Sequence, residues 1–172
     1  TNRIAERAGV SIGSLYQYFP NKESLITALM VQHSHEMVEL VESKLTDFYD
    51  SPPEMAIPEI VKAVIAAHSI DPRLHQVLNE EIPQSARSQQ MQKAEERIIE
   101  LLRSYLCRWR NSPNERLCER ICPQNIDMTV FILSRTVESL CHSATIEHPD
   151  FVSDRRFVRE VSDLLLFYLG YG

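Results

Sequence analysis

Between Ser11 and Lys22 the chain sets Ser11, Ile12, Gly13, Ser14, Tyr16, Gln17, Tyr18 and Lys22 in quick succession. These residue types can meet a nucleic acid. Gly13 and Ser14 are small enough to let backbone approach a groove and its phosphates. Tyr16 and Tyr18 offer hydroxyls, and the Gln17 amide matches an adenine edge. Lys22 supplies a point charge for a phosphate, next to the start of the following helix. The alternative is a connector between core helices, in which Tyr16 and Phe19 simply pack.

The flanking residues say what positions this set. Ile4-Ala5-Glu6-Arg7-Ala8 reads as a short helix. Gly9 ends it where the backbone must turn through the left-handed region. Val10 fills the corner, and Ser11 caps a second short helix from Ile12 to Phe19. A helix, a glycine-containing turn and a capped second helix make a helix-turn-helix arrangement.

The rest of the composition mainly excludes. At 172 residues the chain is one ordinary domain, or a small module on a larger one, and is long enough to fold without metal or disulfide staples. Its four glycines are Gly9, Gly13, Gly170 and Gly172, so neither a dinucleotide fingerprint nor a P-loop is present. No apolar run is long enough to span a membrane, and the start has no secretory pattern, so a cytoplasmic location is expected. The formal charge is -6. Within residues 1–25, Arg3, Arg7 and Lys22 against Glu6 and Glu23 leave +1, and the remainder carries -7. A near-neutral head on an acidic body is compatible with a DNA-touching module. Cys107, Cys118, Cys122 and Cys141 are expected to be free thiols. Cys118 and Cys122 lack further ligands at zinc spacing, so no metal and no cofactor are expected.

Apolar residues recur at helical spacing nearly throughout, which predicts an all-α fold. Helices are expected at about 22–49 with Asn21 as N-cap, 55–69, a short one through Leu74, Val77 and Leu78 after Asp71-Pro72, then 84–110, 123–147 and 151–169; residues 115–123 are ambiguous. The last two helices are apolar on more than one face and so need two partners. A second copy of the chain is the simplest second partner. The expected homodimer interface is Val130, Val137 and Leu140 on one helix, with Val161, Leu164, Leu165 and Tyr168 on the other.

The string IAERAGVSIGSLYQYFPNKESL resembles the signature of TetR-type transcriptional regulators, carried here by Ile4, Ala5, Ala8, Gly9, Val10, Ser11, Gly13, Tyr16, Tyr18, Phe19, Lys22 and Leu25. The resemblance implies a DNA-binding head over residues 1–25 and an effector-binding and dimerisation domain over 26–172. It also implies a repressor that a small molecule releases from a palindromic, double-stranded operator. Tyr16 and Lys22 match positions that hold phosphates, as does Thr1, while Ile12, Ser14 and Gln17 match positions facing bases or the groove floor. Phe19 and Leu25 match packing positions. The family also has a first helix before the residue numbered 1 here. Without it the chain as written is expected to bind DNA poorly.

Family logic places an effector pocket in the helical body. Polar or aromatic residues on apolar faces are its expected lining: His33, Met37, His68, Tyr105 and Trp109, with Phe131, Arg135, Glu138 and His142. Arg135 and Glu138 are spaced to pair with each other. Two alternatives compete with the regulator. One is a helical dimeric interaction module without DNA binding. The other is an enzyme using Cys141 and His142, which is disfavoured because adjacent helical residues point about 100 degrees apart.

Overall fold

The computed structural model describes residues 1–69, 89–122 and 124–171. The short helix expected after Asp71-Pro72 and the start of the one expected from Gln84 lie outside these residues. Nine α-helices run through the described residues: α1 (Asn2–Ala8), α2 (Ile12–Tyr18), α3 (Lys22–Asp47), α4 (Pro53–Ser69), α5 (Gln89–Cys107), α6 (Glu115–Arg120), α7 (Ile126–Glu147), α8 (Pro149–Val152) and α9 (Arg155–Tyr168). A 3-10 turn, Arg108–Asn111, follows α5.

Helix α3 starts where its cap chemistry dictates. Asn21 accepts a hydrogen bond from the Ser24 amide at 2.7 Å, and Ser24 Oγ accepts one from the Asn21 amide at 3.3 Å. This reciprocal box satisfies two of the amides that a helix N-terminus leaves without partners. The helix then runs unbroken to Asp47 and packs along both α4 and α5. Arg97 of α5 reaches across to Glu42 at 2.6 Å.

Three boundaries differ from the sequence expectation. Helix α4 begins at Pro53 rather than near Met55, because proline lacks only an amide that the first turn would leave unbonded anyway. Residues 115–120 form a full helix, α6, capped by Asn114, whose side chain accepts from the Leu117 amide at 3.0 Å. The single last helix expected from Phe151 is two. Asp154 accepts from the Arg156 amide at 2.8 Å and starts α9 afresh after the short α8.

The core joins α3, α4, α5, α6, α7 and α9 through residues such as Ile65, Leu106, Leu117, Val130 and Leu169, each almost fully excluded from solvent. Hydrogen bonds tie α6 and its cap into this core. Thr129 of α7 donates to the Arg120 carbonyl at 2.7 Å, and Asn114 Nδ2 donates to the Gly170 carbonyl at 3.2 Å. Gly170 itself has φ +93°, and an added Cβ would fall 2.3 Å from Cβ of Arg116. Gly170→Ala therefore meets both backbone strain and a collision. It should lower the unfolding free energy by more than about 1 kcal/mol in urea titration; an unchanged midpoint would contradict this packing.

Candidate nucleic-acid interface and internal cavity

The head is built from α1, α2 and the start of α3. Ala5, Leu15 and Ile26 are its buried contacts, one from each helix. Gly9 adopts φ 68°, ψ 25°, and its amide bonds back to the Glu6 carbonyl at 3.1 Å. Nothing lies within 4 Å of a Cβ built there, so the glycine answers to backbone conformation and not to space. Ser11 caps α2 by accepting from the Ser14 amide at 3.0 Å, and the two hydroxyls share a second bond of 2.9 Å.

Burying Leu15 turns the rest of α2 outward. Ile12, Gly13, Ser14, Tyr16, Gln17 and Tyr18 are all exposed, with Tyr18 80% accessible. Thr1, Ser11 and Lys22 are exposed on the flanks. The Thr1 and Tyr16 hydroxyls share a hydrogen bond of 3.1 Å, which joins two of the three expected phosphate contacts across the turn. Gly13 has ordinary φ, and a Cβ there would meet only Ser11 Oγ at 3.8 Å. Among the described residues nothing requires glycine at that position.

The body encloses a cavity of about 230 Å³ between α3, α4, α5, α7 and α9. Its walls are apolar: Val61 and Val64 come from α4, Ile98 from α5, Leu133 from α7 and Leu165 from α9. Helix α3 contributes Met30, Met37 and Val41. One end is polar, and there His33, His68 and His142 meet Glu95 and Glu138. The His33 and His68 ring centroids are 5.7 Å apart, and those of His68 and His142 are 5.2 Å apart, edge to face. His68 is 4% exposed, and its Nδ1 lies 2.8 Å from the Val64 carbonyl. A carbonyl only accepts, so Nδ1 carries the proton and Nε2 of the neutral ring is the acceptor.

Burial holds both imidazoles below the ordinary value of 6.5. For His33 the neighbouring His68 adds to that lowering, against an opposing pull from Glu36. For His68 the Val64 carbonyl and Glu138 oppose it. Arg135 reaches both carboxylates, Glu138 at 2.5 Å and Glu95 at 2.6 Å. Burial works against its charge, and the two carboxylates outweigh that effect. Among the described residues, no three His, Cys, Asp or Glu side chains are placed to hold a metal ion.

Of the expected pocket residues, His33, Met37, His68, Glu138 and His142 line the cavity, and Arg135 stands behind it. Three do not line it. The Tyr105 hydroxyl donates to the Ser51 carbonyl at 2.6 Å, bracing the corner before α4. Trp109 packs against the core from the 3-10 turn beyond α5. Phe131 lies two turns before Glu138 on the same stripe of α7, past the cavity's end, and is 55% exposed.

The expected dimer face divides as well. Val130, Val161 and Leu165 are within the protomer's own core, Val137 lines the cavity, and Leu140 packs half-buried against the core. Tyr168 is half-buried beneath the Arg120 guanidinium, 4.4 Å from its ring centroid. Only Leu164 of the seven is exposed. The large apolar residues that α7 and α9 do leave outside are Met128, Phe131, Ile146, Leu164 and Phe167. Periodicity had marked two apolar faces on each helix without saying which one the protomer keeps for itself.

Sequence reasoning missed Glu95, Met30 and Met91 as lining residues. Glu95 sits forty positions from its partner Arg135, and no local spacing signals that pair. The enzymatic alternative loses its nucleophile here. Cys141 is fully buried, and burial pushes its thiol up to about 12, so the thiolate that would react is not formed.

The lowered imidazoles carry a pH signature. As the pH falls past about 6.5, the unfolded chain takes up protons that the folded chain refuses. Stability is therefore complete above 6.5 and drains away below it until the folded values are passed. Urea midpoints should fall between about pH 7.5 and pH 5.5, by up to ~1.4 kcal/mol per pH unit for each such site. A flat profile over that range would remove the neutral-imidazole assignment.

Comparison with known families supplies the identity. The family described as bacterial regulatory proteins, tetR family, matches residues 1–29, and that described as tetracyclin repressor-like, C-terminal domain, matches residues 52–169. No curated protein matches the chain. Among the described residues no helix is long and apolar enough to cross a membrane. The first match falls on the capped head that presents α2, and the second covers the helices that surround most of the cavity; the chain belongs to the TetR family of DNA-binding transcriptional regulators.

Proposed function

We propose that the protein is a ligand-responsive repressor: a cytoplasmic homodimer that holds a palindromic operator and lets go when a small molecule fills the body cavity. The observation that carries this reading is the course of α3. A single unbroken helix begins beside the recognition helix at Asn21 and Lys22. Farther along it presents Met30, His33, Ser34, Met37 and Val41 to the cavity. A ligand seated there presses on the same rod that holds the head. A differential affinity of a few kcal/mol between the two positions of α3 is enough to empty an operator.

On this reading the division is a head at 1–25 and an effector and dimerisation domain at 26–172, with α3 crossing between them. Thr1, Tyr16 and Lys22 hold phosphates, and Tyr18 offers a further hydroxyl. Ile12, Ser14 and Gln17 face the bases. Ser11 shapes the helix start, and Gly13 leaves room for DNA backbone. Gly13 supports this, because among the described residues nothing packs against its open side. The exposed apolar side chains on α7 and α9 support dimerisation through the last long helices, which sets two recognition helices at half-site spacing. Leu164 is the exposed member of the expected interface set, and Phe167, Met128 and Phe131 add exposed apolar surface on the same two helices. No chemistry beyond binding is assigned.

Tyr16→Phe in the full-length protein should weaken operator binding about tenfold, the order of one lost hydrogen bond to a charged group, while circular dichroism and oligomeric state stay unchanged. Unaltered affinity in a gel shift would remove Tyr16 from the DNA contacts. The double variant Leu164→Glu, Phe167→Glu should sediment as a folded monomer; a dimer of undiminished stability would move the interface away from α9.

A further inference from the structure

Burying Leu15 decides which side of α2 faces away from the protein. Successive helical residues are turned by about 100 degrees. Gly13 and Gln17, two residues before and two after Leu15, therefore both lie about 160 degrees from it. Ile12 and Tyr18, three before and three after, return to within about 60 degrees of it. Ser14 and Tyr16 occupy opposite flanks. The outermost stripe of the helix is thus Gly13 and Gln17, one turn apart. A helical side chain leans over the turn on its N-terminal side. For Gln17 that is the turn of Gly13, which adds no side chain of its own, and a Cβ built there would meet only Ser11 Oγ.

Hydrogen-bonding capacity singles out the same residue. Ser14 Oγ lies 2.9 Å from Ser11 Oγ, the atom that also accepts from the Ser14 amide, so Ser14 is bound into the cap. The Tyr16 hydroxyl shares its bond with Thr1, and Ile12 has no polar group. Among the described residues, Gln17 is exposed and makes no hydrogen bond or ion pair. Its carbonyl oxygen and its NH2 group are both left for a partner.

We infer that Gln17 is the specificity-determining residue of the head, and that the half-site it fits presents an adenine to the Gly13–Gln17 stripe. This rests on the operator-binding reading above and narrows its three base-facing residues to one reader. In the major groove adenine sets an acceptor, N7, beside a donor, the N6 amino group. The Gln17 NH2 donates to N7, and its carbonyl oxygen accepts from N6. Guanine offers two acceptors there, N7 and O6, so the Gln17 carbonyl would face an oxygen. Cytosine offers only a donor, and thymine an acceptor beside a methyl group. Adenine alone uses both ends of the amide. The bare Gly13 lets α2 seat close to the base edges, and Ser14 serves the start of the helix without reading sequence.

The test selects binders for the full-length protein from a random-sequence double-stranded DNA library, then measures the enriched sequence and its single-base variants by gel shift. The native protein should enrich a palindrome with one adenine in each half-site whose change to guanine weakens binding about tenfold or more, the order of one bidentate base contact. In Gln17→Ala that change should matter no more than a change at an uncontacted position, while preferences elsewhere in the site persist; those preferences also report that the variant is folded. Gln17→Arg should exchange the adenine for guanine, because a guanidinium donates to both guanine acceptors. Ser14→Ala should keep the native preference at every position. If every adenine preference survives both Gln17 variants, or if Ser14→Ala loses the preference at any position, the assignment of the reader falls and the operator-binding reading stands. If the folded native protein enriches no sequence at all, both fall.

Discussion

One unbroken helix, α3, runs from the recognition head into the helical body, and the arrangement of the described residues depends on its course. At 26 residues and about 1.5 Å of rise per residue, the helix spans roughly 39 Å without a glycine or proline to bend it. A rod of that kind transmits displacement and does not absorb it. Its two ends are held differently. The Asn21–Ser24 box fixes where it starts relative to the recognition helix. Farther along, Arg97 on Glu42 and the packing against α4 and α5 fix it to the body. Between these attachments, its Met30 to Val41 stretch is cavity wall, so the wall of the cavity is the stretch that joins the two anchored ends.

The cavity departs from the pattern of the surrounding core. Elsewhere, helix faces meet through aliphatic side chains with almost no exposure. At the cavity's end, three imidazoles, two carboxylates and an arginine are drawn together from α3, α4, α5 and α7. Each would be costly to desolvate alone. They persist because they satisfy one another: Arg135 binds two carboxylates, His68 donates to the backbone one turn before it, and the histidine rings meet edge to face. Among the described residues this concentration of polar groups is found at the cavity and not in the core beside α6.

The outer surfaces of α7 and α9 show a related tension. Each helix has an apolar face in the core, and each also carries large apolar side chains that the described residues leave exposed. Val130, Val161 and Leu165 go inward, while Leu164 and Phe167, three apart on α9, stay outside. Exposed aromatic and leucine side chains on neighbouring turns carry a solvation cost that association would relieve.

The sequence alone determined the local devices. Gly9 at a left-handed corner, Ser11 and Asn21 as caps, and the outward set on α2 were legible because each depends on residues within one or two turns of one another. Most helix spans were legible for the same reason, since helical periodicity is a short-range signal; where a boundary slipped, as at Pro53 or Asp154, the deciding cap was also local but was outweighed by a longer apolar pattern. The tertiary structure decided what depends on residues far apart in the chain: that Glu95 meets Arg135, that His33, His68 and His142 from three helices share one cavity end, that Tyr105 and Phe131 fall outside it, and which of two apolar faces is core. Apolar periodicity records that a face is to be buried but not against what, and the partner is settled only when all the helices compete for the same interior.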